Sequence, residues 1–303
     1  MAGSHGFWTY LRLKFFATIF RTFVKAISVF QFSSDQRTVL IPSRDPGRYI
    51  TGHLHHPPSP SPGPVPVLVN WHGSGFVGFL MGSDAVYCAT IARNSGIFVL
   101  DADYRKSPET PFPGALHDVE DVLRWVGSQS TQFDLTRVAV SGFSSGGTLA
   151  LVAASGLRKT LEPLLNIAAV VGFYALVDLS TAPEARSAPK PNKPVPPILA
   201  RFFAECYVPE KSQRRDPLVS PALAKASEFP PVVAIIACDG DDLAPEAMAL
   251  ADKLDDGRRH VVTKMLKDTP HAFDKGAKKG TYEWRMRDEA YRFVVETLRK
   301  AFE

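Results

Sequence analysis

The stretch VAVSGFSSGGTLAL, residues 138–151, sets Ser141, Ser144 and Ser145 among three glycines directly after an apolar run. The β-branched residues before the turn read as a strand, and GTLALVAAS after it reads as a helix. Between them, Gly142-Phe143-Ser144-Ser145-Gly146 fits G-x-S-x-G. In that pattern a tight strand-to-helix turn lifts a serine hydroxyl above a sheet, and glycines keep neighbouring chains from clashing. Ser144 holds the central place, and Ser145 offers its backbone N–H. The competing reading is a small-residue turn that only joins two elements. What the rest of the chain supplies decides between them.

Outward from this turn, strands and helices alternate. Apolar, β-branched runs fall at 48–54, 65–70, 97–101, 137–141, 167–173, 231–237 and 260–266, and helical stretches near 82–94, 114–127, 146–157, 244–255 and 283–301. This alternation predicts an α/β domain over residues 35–303, with a mostly parallel central sheet and helices on both faces. The proline-rich HHPPSPSPGPVPV (55–67) reads as a surface loop. Residues 178–222 break the alternation and carry a helix-like patch, PPILARFFAECY. An insertion of that length is expected to be a lid or binding element, with disorder of its proline-rich first half as the competing reading.

A serine hydroxyl is a weak nucleophile until a base takes its proton. Of the eight histidines, His53, His55 and His56 precede the serine, His117 sits in a helix with Asp118, and His260 opens the last strand. His271 follows that strand in KDTPHAFDK, where the C-terminal edge of the sheet is expected. The chain order serine, acid, histidine favours it. The acid is expected after PPVVAIIAC, where Asp239, Asp241 and Asp242 stand. Asp242 is placed to cap the helix that begins near Pro245. Spacing does not choose between Asp239 and Asp241 as the carboxylate that fixes the imidazole. Upstream, VLVNWHGSGF carries His72-Gly73-Ser74-Gly75 after a strand. The backbone N–H groups of Ser74, Gly75 and Ser145 are candidates to converge on a developing oxyanion. Chemistry of this kind needs neither a metal nor an organic cofactor.

The chain has 303 residues, 45% hydrophobic and 22% charged, which suits a soluble enzyme with a large core. Cys88, Cys206 and Cys238 form neither a disulfide framework nor a zinc spacing, so a reducing, cytoplasmic compartment is expected. The net charge of +4 belongs to residues 1–34, which hold Arg12, Lys14, Arg21 and Lys25 and no acid. The remainder is balanced, so no nucleic-acid footprint is expected.

Residues 7–32, FWTYLRLKFFATIFRTFVKAISVFQF, form a candidate amphipathic helix. Lys14, Thr18, Arg21, Lys25 and Ser28 fall on one polar stripe, with aromatic and aliphatic residues around the rest. The charges leave no apolar run long enough for a membrane span, and no secretory signal fits. Two readings remain: a helix folded over the body with its wide apolar face buried, or a peripheral membrane anchor.

Together these residues resemble the hormone-sensitive-lipase-like branch of the α/β-hydrolases, the family with an H-G-G-G motif, over roughly residues 35–302. DADYRKSPETPFPGALHDVEDVLRWV (101–126) is similar to the family's D-Y-R-L-A-P-E, then P-F-P-A-A-L and a helix ending in R-W. DPLVSPALA (216–224) resembles a segment that follows the family's cap insertion. The family's D-x-L-x-x-E pattern falls on Asp241, Leu243 and Glu246, so the resemblance implies Asp241 as the triad acid beside Ser144 and His271. It also implies an α/β-hydrolase fold with a helical cap, built from the N-terminal segment and residues 178–222. Pocket-lining candidates are then Phe76, Val77, Phe143, Phe202, Phe203 and Tyr207. Three residues depart from the pattern: Ser74 replaces a glycine, Phe143 the usual Asp, and Ser145 an Ala.

The implied activity is serine carboxylic-ester hydrolysis of small to medium apolar acyl esters through an acyl-enzyme. A lactonase, amidase or acyltransferase of secondary metabolism would use the same triad, and the resemblance leans toward fungal members. A non-catalytic small-molecule receptor is the other alternative, because plant gibberellin receptors resemble this family. They lack the triad histidine, whereas His271 is present here. The expected partner is a small-molecule ester, with a membrane surface touching residues 7–32 and a second copy of the chain as further candidates.

Overall fold

The strands Val65–Trp71 (β3), Ile167–Phe173 (β6) and Val232–Cys238 (β7) are almost wholly apolar, which suits strands covered on both faces. They are interior strands of an eight-stranded sheet in the computed structural model, which describes residues 5–27, 36–59 and 61–303. The other strands are Gln36–Pro42 (β1), Tyr49–His55 (β2), Phe98–Ala102 (β4), Phe133–Phe143 (β5) and His260–Leu266 (β8). Their order is β1-β2-β4-β3-β5-β6-β7-β8. All neighbours from β4 onward are parallel, while β1 pairs antiparallel with β2 and β2 with β4. The expected α/β architecture with a mostly parallel sheet is therefore present.

The helices are Phe7–Ile27 (α1), Ala85–Ser95 (α2), Gly114–Gly127 (α3), Ser145–Ser155 (α4), Arg158–Leu161 (α5), Pro197–Tyr207 (α6), Ala244–Leu254 (α7) and Tyr282–Phe302 (α8). Trp71, Leu149 and Leu250 belong to a core between one sheet face and α3, α4 and α7. Tyr87, Phe173 and Leu298 belong to the core under α2 and α8. Each fully buried Leu, Val or Phe contributes about 1.5–3 kcal/mol, so the sheet is a stiff platform for whatever leaves its strand ends.

The insertion runs from the end of β6 to β7 without adding a strand. Its proline-rich first half is laid along the loop after β7. Asn192 N–H donates to Gly240 O at 3.0 Å, Ala188 N–H to Asp242 Oδ1 at 2.8 Å, and Arg186 pairs with Glu246 at 3.1 Å. Its second half holds α6 and a short 3-10 helix over Lys211–Arg215.

Helix α1 packs on the body through a narrow face, Leu13, Ala17, Phe20 and Val24 edged by two cations, and not through the wide apolar side its pattern suggests. Leu13 (2% exposed) and Ala17 are buried against Val77 and Cys206. Lys14 and Arg21 also turn inward, and both bind Glu109. Arg21 donates as well to the carbonyls of Val77 and Ser107, each at 2.9 Å. Burial pushes the Glu109 carboxyl up, but Arg21 and Lys14 outweigh it and hold its pKa down to about 2. The wide apolar side faces outward instead, with Trp8 80% and Phe23 62% exposed. Glu109 on the body draws in Lys14 and Arg21 of the stripe beside Leu13, Ala17, Phe20 and Val24, while Thr18 and Lys25 of the same stripe stay exposed. Ser28 of that stripe, and residues 28–32 generally, lie outside the described residues.

Candidate active site

The loops leaving the C-terminal ends of β3, β5, β7 and β8 converge above the sheet, which is where open α/β sheets place their ligands. Ser144 follows β5 directly and has φ of 51°. A non-glycine residue held there is strained by roughly 1–3 kcal/mol, and its neighbours keep it there. A Cβ on Gly146 would stand 2.0 Å from Trp71 O, and one on Gly142 would stand 2.2 Å from Gly146 O. Both positions must be glycine for the turn to close against β3.

The Ser144 hydroxyl lies 3.0 Å from His271 Nε2. On the other side of the ring, His271 Nδ1 is 2.7 Å from Asp241 Oδ2. The Tyr174 ring meets the imidazole edge to face at 4.9 Å. Burial lowers the His271 pKa, but the charge and hydrogen bond of Asp241, helped by Asp274, outweigh it and raise it above the ordinary imidazole value. Lys275 pulls in the other direction. Of the two aspartates that spacing leaves open, Asp241 and not Asp239 reaches the ring. Asp242 does not cap α7; it accepts from Ala188 N–H in the insertion. His117 and Asp118 belong elsewhere: Asp118 takes both Nη atoms of Arg48 at 2.7 Å.

The His72–Gly75 loop faces the serine turn. His72 Nε2 is 3.1 Å from Asp103 Oδ1, and its ring stacks on Tyr104. Positive φ falls on Gly75 and Phe76 and not on Ser74, so serine in place of glycine carries no backbone strain. The Ser74 N–H donates to Ser145 Oγ at 2.9 Å. That differs from the expectation of three converging donors, because one amide is engaged by the residue that replaces alanine. The amides of Gly75 and Ser145 remain, the latter as the first N–H of α4 with no partner inside the helix. Tyr104 joins the loop to the turn, with its hydroxyl 2.7 Å from Ser74 Oγ and 3.3 Å from Ser145 Oγ while donating to His72 O at 2.9 Å.

A second polar group lies behind the histidine. Lys275 Nζ binds Asp84 at 2.7 Å and Asp274 at 3.0 Å, and sits 3.5 Å from the centroid of the Phe143 ring. Asp84 is fully buried and also accepts from Asn70, which donates to Asp101 too. Burial pushes the Asp84 carboxyl up, but Lys275 and Asn70 outweigh it and keep it below its ordinary value. Asp101 is pushed well up by burial and by the Asp84 charge. Lys275 thus ties the His271 loop to the serine turn and to the N-terminus of α2.

Above these residues lies a cavity of about 770 Å³. Ser144, His271 and Gly75 form its floor, Phe20 and Val24 of α1 one side, and Leu199 and Phe203 of α6 another. Of the pocket candidates, Phe76 and Phe203 line it. Four do not. Phe143 points down from β5 and stacks on Phe173 at 4.3 Å, because strand alternation sends it away from Ser144. Val77 is buried beneath α1, Phe202 packs beside that cluster, and Tyr207 stacks on Phe76 at 3.7 Å. Sequence reasoning does not reach the site roles of Tyr104, Tyr174 and Lys275. Tyr104 lies in the quoted DADYRKSPE stretch, but nothing local marks Lys275 as the partner of a residue as distant as Asp84.

A serine on a positive-φ strand-to-helix turn, in reach of an imidazole and a carboxylate from later loops, defines the α/β-hydrolase class. A family model described as alpha/beta hydrolase fold matches residues 68–275, and the chain belongs to that family. It is 31% identical to Esterase LipI of Mycobacterium tuberculosis over 63% of this chain and 61% of that protein. It is 28% identical to an ethyl acetate hydrolase of Pseudomonas putida, over 68% of this chain and 65% of the relative. A versiconal hemiacetal acetate esterase of Dothistroma septosporum is also 28% identical, over 69% and 66%. The chain thus spans less than two thirds of the length of these curated relatives. The fold is shared with an esterase of the archaeon Pyrobaculum calidifontis, at a TM-score of 0.75 and 24% identity over 96% of this chain and 90% of the other.

Proposed function

We propose that this protein is a serine carboxylic-ester hydrolase. The observation that carries the reading is the unbroken line from Ser144 Oγ through His271 to Asp241, at 3.0 and 2.7 Å. Ser144 Oγ attacks the acyl carbon while His271 Nε2 takes its proton. Asp241 holds the Nδ1–H and stabilises the imidazolium. The oxyanion is received by the amides of Gly75 and Ser145, each such donor being worth about 10²–10³ in rate. His271 then protonates the leaving alkoxide. Water, deprotonated by the same nitrogen, attacks the acyl-enzyme and releases the acid and free Ser144. The apolar cavity walls support esters of small to medium apolar acyl groups. Two similar proteins are named for acetate esters, so acetate is the acyl group to try first. Ser144→Ala, followed on p-nitrophenyl acetate and butyrate, is expected to lose on the order of 10⁶ in kcat. A variant as active as the wild type would sink the reading.

A second reading concerns where the enzyme works. Trp8, Phe15, Phe16 and Phe23 face out from α1, while Lys14 and Arg21 turn to Glu109. A helix with only water above it carries the reverse arrangement. We infer that this side of α1 rests in a lipid surface, with Phe20 and Val24 of the same helix reaching the cavity. No helix among the described residues is long and apolar enough to cross a membrane, so contact would be peripheral. Wild type is expected to sediment with phosphatidylcholine–phosphatidylserine vesicles, and a Trp8→Ser, Phe15→Ser, Phe23→Ser variant to stay in solution. Wild type that never sediments refutes lipid contact. A wild-type dimer that the triple variant splits assigns the face to a second copy.

A further inference from the structure

The cavity holds more cations than it uses. Every carboxylate on its wall has a partner: Asp241 has His271, Asp242 the Ala188 amide, Glu184 has Arg201 at 2.6 Å, and Glu205 has Arg12 at 3.1 Å. Three of the cations are thereby committed, Arg201 to Glu184, Arg186 to Glu246 and Lys275 to Asp84 and Asp274. Lys211, Arg214 and Arg215 also line the cavity, all on the 3-10 helix after α6, and none makes an ion pair among the described residues.

Arg214 is the organised member of the three. Its side chain is half-buried, and Nε and Nη2 both donate to Val208 O, at 3.2 and 3.1 Å. That carbonyl fixes the plane of the guanidinium from one edge. Two hydrogens remain on Nη1 and one on Nη2, so the Nη1–Nη2 edge keeps the paired donors that match the two oxygens of a carboxylate. Burial lowers its pKa, with only partial relief from Glu205. It is a positioned cation without a counter-charge of its own, beside a largely apolar chamber.

We propose that Arg214, flanked by Lys211 and Arg215, is a subsite for a carboxylate on the ester substrate. The inference rests on the ester-hydrolase reading and narrows it: the preferred substrate joins an apolar chain to an acidic end, with the ester near Ser144 and the carboxylate at the 3-10 helix. An ester with an acidic end replaces water on Arg214, and a neutral ester of the same length leaves the guanidinium unpaired.

The test compares mono-p-nitrophenyl esters of the dicarboxylic acids from glutaric to sebacic acid with the matching p-nitrophenyl methyl diesters, which are equal in backbone but uncharged. At the chain length that spans the cavity, wild type is expected to favour the acid by about 10- to 100-fold in kcat/KM, the range of one charge-assisted hydrogen-bonded pair. Arg214→Gln is expected to bring that ratio close to one. Because Arg214 also holds Val208 O, the exposed residues provide a separate check, and Lys211→Gln with Arg215→Gln should lower the ratio several-fold. The subsite is refuted if the neutral diesters are preferred at every length, or if all three substitutions leave the ratio unchanged. Turnover of diesters without acid preference refutes the subsite alone. Turnover of neither series, with p-nitrophenyl butyrate also inert, refutes the hydrolase reading and the subsite together.

Discussion

At the strand ends below the cavity, nearly every functional polar atom is paired. Ser144, His271 and Asp241 form one chain of contacts, Ser74, Ser145 and Tyr104 a second, and Lys275, Asp84 and Asp274 a third. Above the cavity the pattern is reversed. Lys211, Arg214 and Arg215 have no carboxylate among the described residues, and Trp8, Phe15 and Phe23 of α1 face outward. Groups satisfied by one another are held in place before substrate arrives, which favours charge development at a fixed point. Groups left wanting partners are where different ligands, or a surface, can be told apart. In the proposed reading the floor sets the reaction, and the roof sets what undergoes it.

The comparison can be broken most severely from the floor. Asp241→Asn should cost about 10⁴ in kcat, because the imidazole loses its fixed tautomer. In the proposed mechanism His271 must be neutral to act as the base, and its pKa is raised chiefly by Asp241 against the effect of burial. Wild-type kcat/KM should therefore fall as pH drops through a value above the ordinary imidazole pKa. In the variant that acid limb should move down. A limb that stays put in kcat/KM profiles on p-nitrophenyl butyrate would mean that another group titrates.

Lys275→Met is the next largest. It leaves Asp84 and Asp274 buried without their cation, a loss of about 3–5 kcal/mol in unfolding free energy, read by urea titration. It also removes the charge that holds the His271 pKa down, so the acid limb should move up, opposite to Asp241→Asn. A purely structural lysine would change stability and leave the limb alone. The smallest effect belongs to the roof. Phe20 meets Phe203 edge to face at 5.2 Å, and such a pair contributes about 0.5–1.5 kcal/mol. Phe20→Ala should raise KM for p-nitrophenyl hexanoate several-fold and for the acetate less. Equal changes for both would place Phe20 outside the acyl path.

The same division governs what could be read from the chain. The parallel strands β3, β6 and β7 announce themselves as apolar runs because both their faces are covered. β1, QRTVLIP, is an edge strand with mostly solvated side chains, and no such run marks it. The turn at Ser144 is legible because its glycines are demanded locally. The pairing of His271 with Ser144 follows from chain order. The choice of Asp241 over Asp239 came from family resemblance, since both stand at the same strand end. Phe143, a pocket candidate, follows the strand's alternation instead and points down onto Phe173, away from Ser144. The polar stripe of α1 can be read from spacing, but the inward turn of Lys14 and Arg21 depends on Glu109, a partner far along the chain that no local pattern reveals.

Cys206 offers a use that follows from where it sits. It is buried beneath α1 against Leu13 and Ala17, and burial raises its thiol far above the ordinary range. While the helix stays docked, alkylating reagents meet neither an exposed sulfur nor a thiolate. Each departure of α1 would uncover it, so the rate of its modification is a clock for opening of the roof. The other two cysteines, Cys88 and Cys238, are buried in the body and supply the background rate against which that clock is read.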